Sequence, residues 1–170
     1  DKVIPEKCIG FAIEEKTSEL TTRDVLLYAI GIGYSQDSLE EKDLQYTFEM
    51  HDEFKVFPTT VLLGKVLDPF EILTNCPGIP NFNPMMLLHG EQKTEIRKPL
   101  EIGKKYRHVG RVIDVSDKGI GCLCTVEARS FEENEDGVKG DLAVITTISF
   151  FIREIGGFGY KGNLQNKLPE

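Results

Sequence analysis

The chain has 170 residues, 40% hydrophobic and 28% charged, with a formal net charge of -8, and that length carries one domain with a substantial core. The acidic balance argues against nucleic acid held by a general electrostatic field, which needs clustered Lys and Arg. No apolar run is long enough to span a membrane, and a chain opening on Asp1 with no targeting segment reads as a processed product or an excised piece.

The first strong element is a helix from Thr21 to Ile32. Thr21 can cap it, Asp24 supplies the capping-box acid three residues on, and Gly31 and Gly33 end it. Val25, Leu26, Leu27, Ala29 and Ile30 give it a broad apolar surface that needs cover, so Leu27 is expected in the core against the strands that follow. Leu44, Tyr46, Phe48 and Met50 alternate with Gln45, Thr47 and Glu49, the period-two pattern of a half-buried strand. His51, Asp52 and Glu53 then form a polar loop with no dyad spacing. Val61 to Phe70 is read as a short helix that stops at Asp68-Pro69. Thr74 to Pro84, with three prolines and Gly78, is a loop long enough to cover something.

Four long strands follow: Met86 to Ile96, Tyr106 to Val115, Ile120 to Phe131 and Leu142 to Ile155. Asp117-Lys118-Gly119 turns the second into the third as a hairpin. Glu132 to Gly137 reads as a solvated turn without a function. One apolar helix followed by a long antiparallel sheet is an α+β pattern. The four cysteines, Cys8, Cys76, Cys122 and Cys124, have no CxxC and no His at ligand spacing, so they read as reduced, mostly packing thiols of an intracellular protein rather than a metal site.

Three features invite a functional reading. His89-Gly90 sits inside a strand-like apolar run; by itself it is a hydrogen-bonded strand histidine beside a bulge glycine, although glycine also lets a ligand approach the backbone. Glu91 is read as facing away from His89 and is given no catalytic role. Lys118 lies in a turn, where lysine is most often merely exposed, yet its ammonium suits a phosphate. Gly157, Gly159 and Gly162 have the spacing of a dinucleotide fingerprint, but the eight residues after Gly162 leave no room for the helix and acidic partner it needs. That segment is read as a flexible exit from the last strand. His108, between Arg107 and Val109 on a strand, is read as structural.

Leu87-Leu88-His89-Gly90-Glu91-Gln92, followed by Lys98-Pro99-Leu100 and preceded by Tyr28-Ala29-Ile30-Gly31-Ile32-Gly33 and Phe57-Pro58-Thr59, resembles the amino-terminal repeat of enoyl-CoA hydratase 2. That MaoC-like family includes the hydratase part of peroxisomal multifunctional enzyme type 2. The resemblance continues through Asp117-Lys118-Gly119 to Gly156-Gly157-Phe158-Gly159. It implies a hot-dog fold, an antiparallel sheet wrapped around a central helix. It also implies an acyl-CoA substrate held by His89, Gly90 and Lys118, an acyl chain under Thr74 to Pro84, no metal or redox cofactor, pairing with a second hot-dog repeat or another copy, and a peroxisomal location. The family's catalytic Asp, Asn and His lie in a carboxy-terminal repeat, in a run of Gly-Asp, one variable residue, Asn-Pro and a histidine. Here Asn81-Phe82-Asn83-Pro84 has Asn-Pro without the rest, so no catalytic residue is assigned. The expected function is the acyl-CoA-binding half of a 2-enoyl-CoA hydratase of fatty-acid β-oxidation. The rival readings are a stand-alone acyl-CoA-binding or assembly module and a hot-dog thioesterase, which needs a catalytic acid on the central helix.

Overall fold

The computed structural model describes residues 2–37, 40–63 and 68–163. Its elements are α1 (Pro5–Cys8), β1 (Lys16–Glu19), α2 (Thr22–Gly31), α3 (Glu41–Thr47), a 3-10 turn (Pro58–Leu62), α4 (Pro69–Asn75), a second 3-10 turn (Pro84–Met86), β2 (Leu87–Ile96), β3 (Lys105–Asp117), β4 (Gly121–Glu133) and β5 (Lys139–Arg153). The strands form one antiparallel sheet in the order β1-β3-β4-β5-β2. Long β-branched and aromatic runs joined by tight turns favour this meander, and the Asp117-Lys118-Gly119 hairpin falls where the turn chemistry places it.

One face of the sheet carries Val112, Val115, Cys122, Cys124, Phe150 and Ile152, all buried. Cys8 of α1, Ile72 and Leu73 of α4, and Cys76 and Ile79 of the following loop cover it. The loop expected between Thr74 and Pro84 therefore covers the sheet itself; its first two residues complete α4. All four cysteines are buried free thiols.

Helix α2 has the expected reciprocal capping box: Asp24 N–H donates to Thr21 Oγ1 at 3.3 Å and Thr21 N–H donates to Asp24 Oδ2 at 3.0 Å. Its environment differs from expectation. It packs mainly on α3 and the Pro58–Leu62 turn, with Val25 and Ala29 buried, while Leu27 and Ile30 are 57% and 55% exposed. Hydrophobic periodicity states that a face needs cover, not which chain supplies it. Leu27→Asp is accordingly expected to change the stability of this chain by no more than about 0.5 kcal/mol. A fall of the thermal midpoint by more than about 5 °C, the scale of a 1 kcal/mol loss, would put Leu27 back in the core.

Leu44 to Met50 is not a strand. Its first half is α3, and Phe48 and Met50 are exposed. Tertiary contacts outweigh the short alternation: Tyr46 packs edge-on to Tyr34 and Phe57 at ring separations of 5.1 Å, and the Asp43 carboxylate accepts the Ser35 N–H at 2.8 Å. Asp68-Pro69 begins a helix instead of ending one. Asp68 Oδ1 accepts the Phe70 N–H at 2.9 Å and Pro69 takes the first helical position, where its missing N–H costs nothing. The helix expected over Val61 to Phe70 is thus divided between two elements, and its residues 64–67 lie outside the described residues. Glu132 and Glu133 belong to β4, not to a solvated turn: Glu132 is buried between Lys98 (3.4 Å) and Lys104 (3.1 Å), and Glu133 pairs with Arg107 at 3.2 Å. No described helix is long and apolar enough to cross a membrane.

Candidate substrate-binding site

The site begins where the Pro84–Met86 turn, capped by Asn83 Oδ1 accepting the Met85 N–H at 3.0 Å, feeds β2. Asn83 thus spends its side chain on a cap. β2 pairs with β5 in the register Leu87↔Ile152, Leu88↔Phe151, His89↔Phe150 and then Glu91↔Ser149, leaving Gly90 as the extra residue of a bulge. In an unbroken strand His89 and Glu91, two apart, would share a face. The bulge aligns them with consecutive β5 residues and so turns them to opposite faces, which is the arrangement expected, reached through Gly90. A side chain at Gly90 would place its Cβ 3.2 Å from the Ser149 carbonyl oxygen, so the bulge is held tightly on β5. His89 is exposed and lays its ring against Phe150 at 5.4 Å. Among the described residues its nitrogens have no hydrogen-bond partner, unlike the bonded strand histidine of the structural reading.

Lys118 projects from the β3–β4 hairpin. Its N–H donates to the Gly121 carbonyl at 2.9 Å, and Gly119 takes the positive φ of +80° that closes the turn. The side chain is exposed and makes no ion pair among the described residues. Gly121 pairs with Arg153, and Ile152 pairs with Leu87, so Lys118 and His89 occupy the same end of the sheet with β4 and β5 between them. Three strand spacings of about 4.8 Å and an offset of three residues at about 3.4 Å each put them roughly 18 Å apart. Only an extended ligand can touch both. Beside them a groove of about 260 Å³ runs between Asn81, Phe82 and Met86 on one side and Arg153 and Glu154 on the other.

The Gly156–Gly162 segment is not a flexible exit. The Asp117 carboxylate accepts the N–H groups of Gly119 (2.8 Å), Gly157 (3.0 Å) and Gly159 (2.5 Å), and these bonds hold its pKa below the usual carboxylate range. Asp117 N–H donates to the Tyr160 carbonyl at 2.6 Å, Ser116 Oγ donates to the Lys161 carbonyl at 2.8 Å, and Asn163 N–H donates to Asp114 Oδ1 at 3.0 Å. The glycines thus form a strap laid along β3. Sequence reading missed Asp117 because its partners are forty residues away; the one available signal was an Asp at the start of a turn, a residue type that binds nearby backbone N–H groups.

The remaining histidines are apart from this site. His51 Nδ1 accepts the Glu53 N–H at 3.0 Å in its loop. His108 is buried, with Nε2 2.7 Å from Ser18 Oγ and Nδ1 2.9 Å from Ser130 Oγ, beside a cavity of about 30 Å³ walled by Leu20, Val61, Leu100 and Val144. Burial pushes its pKa down to about 4, which suits packing and not base catalysis near neutrality. Among the described residues no group of three or more His, Cys, Asp or Glu side chains is placed to hold a metal.

Residues 18–154, from β1 to the end of β5, match the family described as MFE-2 hydratase 2 N-terminal domain. The chain belongs to that family. It is 36% identical over 155 residues to the peroxisomal hydratase-dehydrogenase-epimerase of Neurospora crassa, covering 86% of this chain and 16% of that protein. It is 34% identical over 158 residues to a probable enoyl-CoA hydratase 2 of Dictyostelium discoideum, covering 91% and 49%. The crystal structure of a MaoC-like dehydratase from Phytophthora capsici superimposes with a TM-score of 0.73 at 33% identity, over 99% of this chain and 55% of the other. The domain therefore has the hot-dog fold, and the chain spans at most about half the length of these three relatives.

Proposed function

We propose that this hydratase 2 domain is the substrate-holding half of a 2-enoyl-CoA hydratase of fatty-acid β-oxidation, which adds water to trans-2-enoyl-CoA to give (R)-3-hydroxyacyl-CoA. The observation that carries the reading is family membership, joined to a sheet end that holds His89, the bulge at Gly90 and Lys118, the two side chains exposed and without a polar partner among the described residues. Gly90 lets the thioester approach the β2 backbone, His89 offers a ring nitrogen to it, and Lys118 places an ammonium against a phosphate of CoA. The acyl chain runs beside the loop ending at Pro84. The Asp-His pair that activates water and protonates the α-carbon comes from a second, carboxy-terminal repeat, which also covers the exposed face of α2. The thioester is substrate, the reaction needs no redox cofactor or metal, and the protein works in the peroxisome, as the names of several relatives suggest.

The thioesterase reading lacks its acid. Asp24, the only carboxylate of α2, is committed to the capping box, and Glu71 of α4, the helix that packs on the sheet, is ion-paired with Lys16. A stand-alone acyl-CoA-binding module would share the same binding residues and differ in lacking any turnover partner.

In a protein carrying both repeats, His89→Ala and Lys118→Ala should each raise KM about 10- to 100-fold while kcat changes less than about 3-fold. They hold ground state and transition state alike, and a charge-assisted contact is worth roughly 1.5–3 kcal/mol. Steady-state kinetics decide this. A fall in kcat at unchanged KM would remove both residues from substrate holding.

A further inference from the structure

Asp117 bonds to backbone both within its own turn and far beyond it. Oδ1 takes N–H groups from Gly119 and Gly157, and Oδ2 takes the N–H of Gly159, so one carboxylate ties the β3–β4 hairpin to a segment forty residues away. All three donors stand at positive φ, between 77° and 83°, a conformation in which glycine alone is unstrained. Two main-chain bonds complete the clasp: Asp117 N–H to the Tyr160 carbonyl (2.6 Å) and Glu154 N–H to the Ile120 carbonyl (2.9 Å). Gly156 lies directly against Gly119 O and Gly121 N, where a Cβ would not fit. Residue 118 is thus gripped on both sides by backbone, while its own side chain points to no partner among the described residues.

The charge arrangement has a consequence for ligand binding. A free carboxylate next to Lys118 would compete for its ammonium and repel an incoming anion. Three N–H donors occupy this carboxylate instead, and no Asp117–Lys118 ion pair forms among the described residues.

We propose that Asp117 is a positioning residue of the CoA site: by engaging Gly119, Gly157 and Gly159 it fixes the Lys118 turn and the strap beneath it, and so presents the Lys118 ammonium to a phosphate-bearing thioester. This rests on the CoA-binding reading of Lys118 above.

The test is a double-mutant cycle on the 170-residue chain, with CoA as the probe in calorimetric titrations. Lys118→Ala should weaken CoA binding about 10-fold. Asp117→Asn, which presents a donor where Gly159 N–H now finds an acceptor, should weaken it about as much, and the double variant should bind no worse than the weaker single one. Effects that multiply would overturn the positioning role and leave the CoA reading intact; an unchanged affinity in Lys118→Ala would instead overturn the CoA reading of that lysine. Should Asp117→Asn not fold, the wild-type chain still decides: CoA should shift the amide resonances of Gly157 and Gly159 together with that of Gly119, and shifts confined to the hairpin would reject the proposal.

Discussion

Between pH 6.5 and about 4 the fold should lose about 3 kcal/mol through His108 alone. The ring is 2% exposed and held between Ser18 and Ser130. One serine can donate and the other accept, so both bond to a neutral imidazole without cost, whereas a charged ring finds no carboxylate partner among the described residues and must be desolvated. Burial therefore lowers the folded-state pKa from 6.5 to about 4. Because it is depressed, the unfolded chain takes up the proton first as pH falls. The stabilisation is fully present above pH 6.5, is lost on descending through that window and falls no further below about 4. A difference of roughly 2.5 units at 1.36 kcal/mol each gives the magnitude. Urea denaturation at a series of pH values measures it. Carboxylates also titrate here, so the informative comparison is His108→Gln, whose amide can serve both serines; it should flatten this limb by about 3 kcal/mol relative to wild type. Parallel pH profiles for the two proteins would show that His108 takes its proton in the folded state as readily as in the unfolded one.

What was legible in the chain is what local chemistry decides. The Thr21/Asp24 cap, the Asp117-Lys118-Gly119 turn and the four long strands all appear within three residues of their expected places, because caps, turn glycines and β-branched runs act on their immediate neighbours. β1 escaped because Lys16-Thr17-Ser18-Glu19 is a polar edge strand, recruited by pairing with β3 and carrying no alternation of its own. Leu44 to Met50 misled for the opposite reason: a period of two over seven residues is weaker than the aromatic contacts of Tyr46. Asp68-Pro69 is ambiguous in sequence, since the same pair that blocks a helix before it starts one after it.

The site divides along the same line. A bulge at Gly90 could be read from the strand, but its effect on Glu91, and the placement of Lys118 and His89 at one sheet end, depend on register. Asp117 and the strap depend on bonds across forty residues, beyond any local pattern. The exposure of Leu27 and Ile30 depends on which elements α2 packs against, and periodicity does not name them.

The largest expected effect is in turnover. Asn81-Phe82-Asn83-Pro84 lies in a loop with Asn83 spent on a cap, and among the described residues neither His51, His89 nor His108 is hydrogen-bonded to a carboxylate. General acid–base catalysis of that kind contributes about 10²–10⁴-fold for each group, and losing both should take hydration to background. The direct measurement follows loss of the conjugated thioester when the purified 170-residue chain is mixed with trans-2-enoyl-CoA, alongside the same chain joined to a hydratase 2 carboxy-terminal repeat. Binding without hydration by the chain alone, and turnover restored in the joined protein, is the predicted result; hydration by the 170-residue chain alone would contradict the division of labour and direct attention to a catalytic acid near His89.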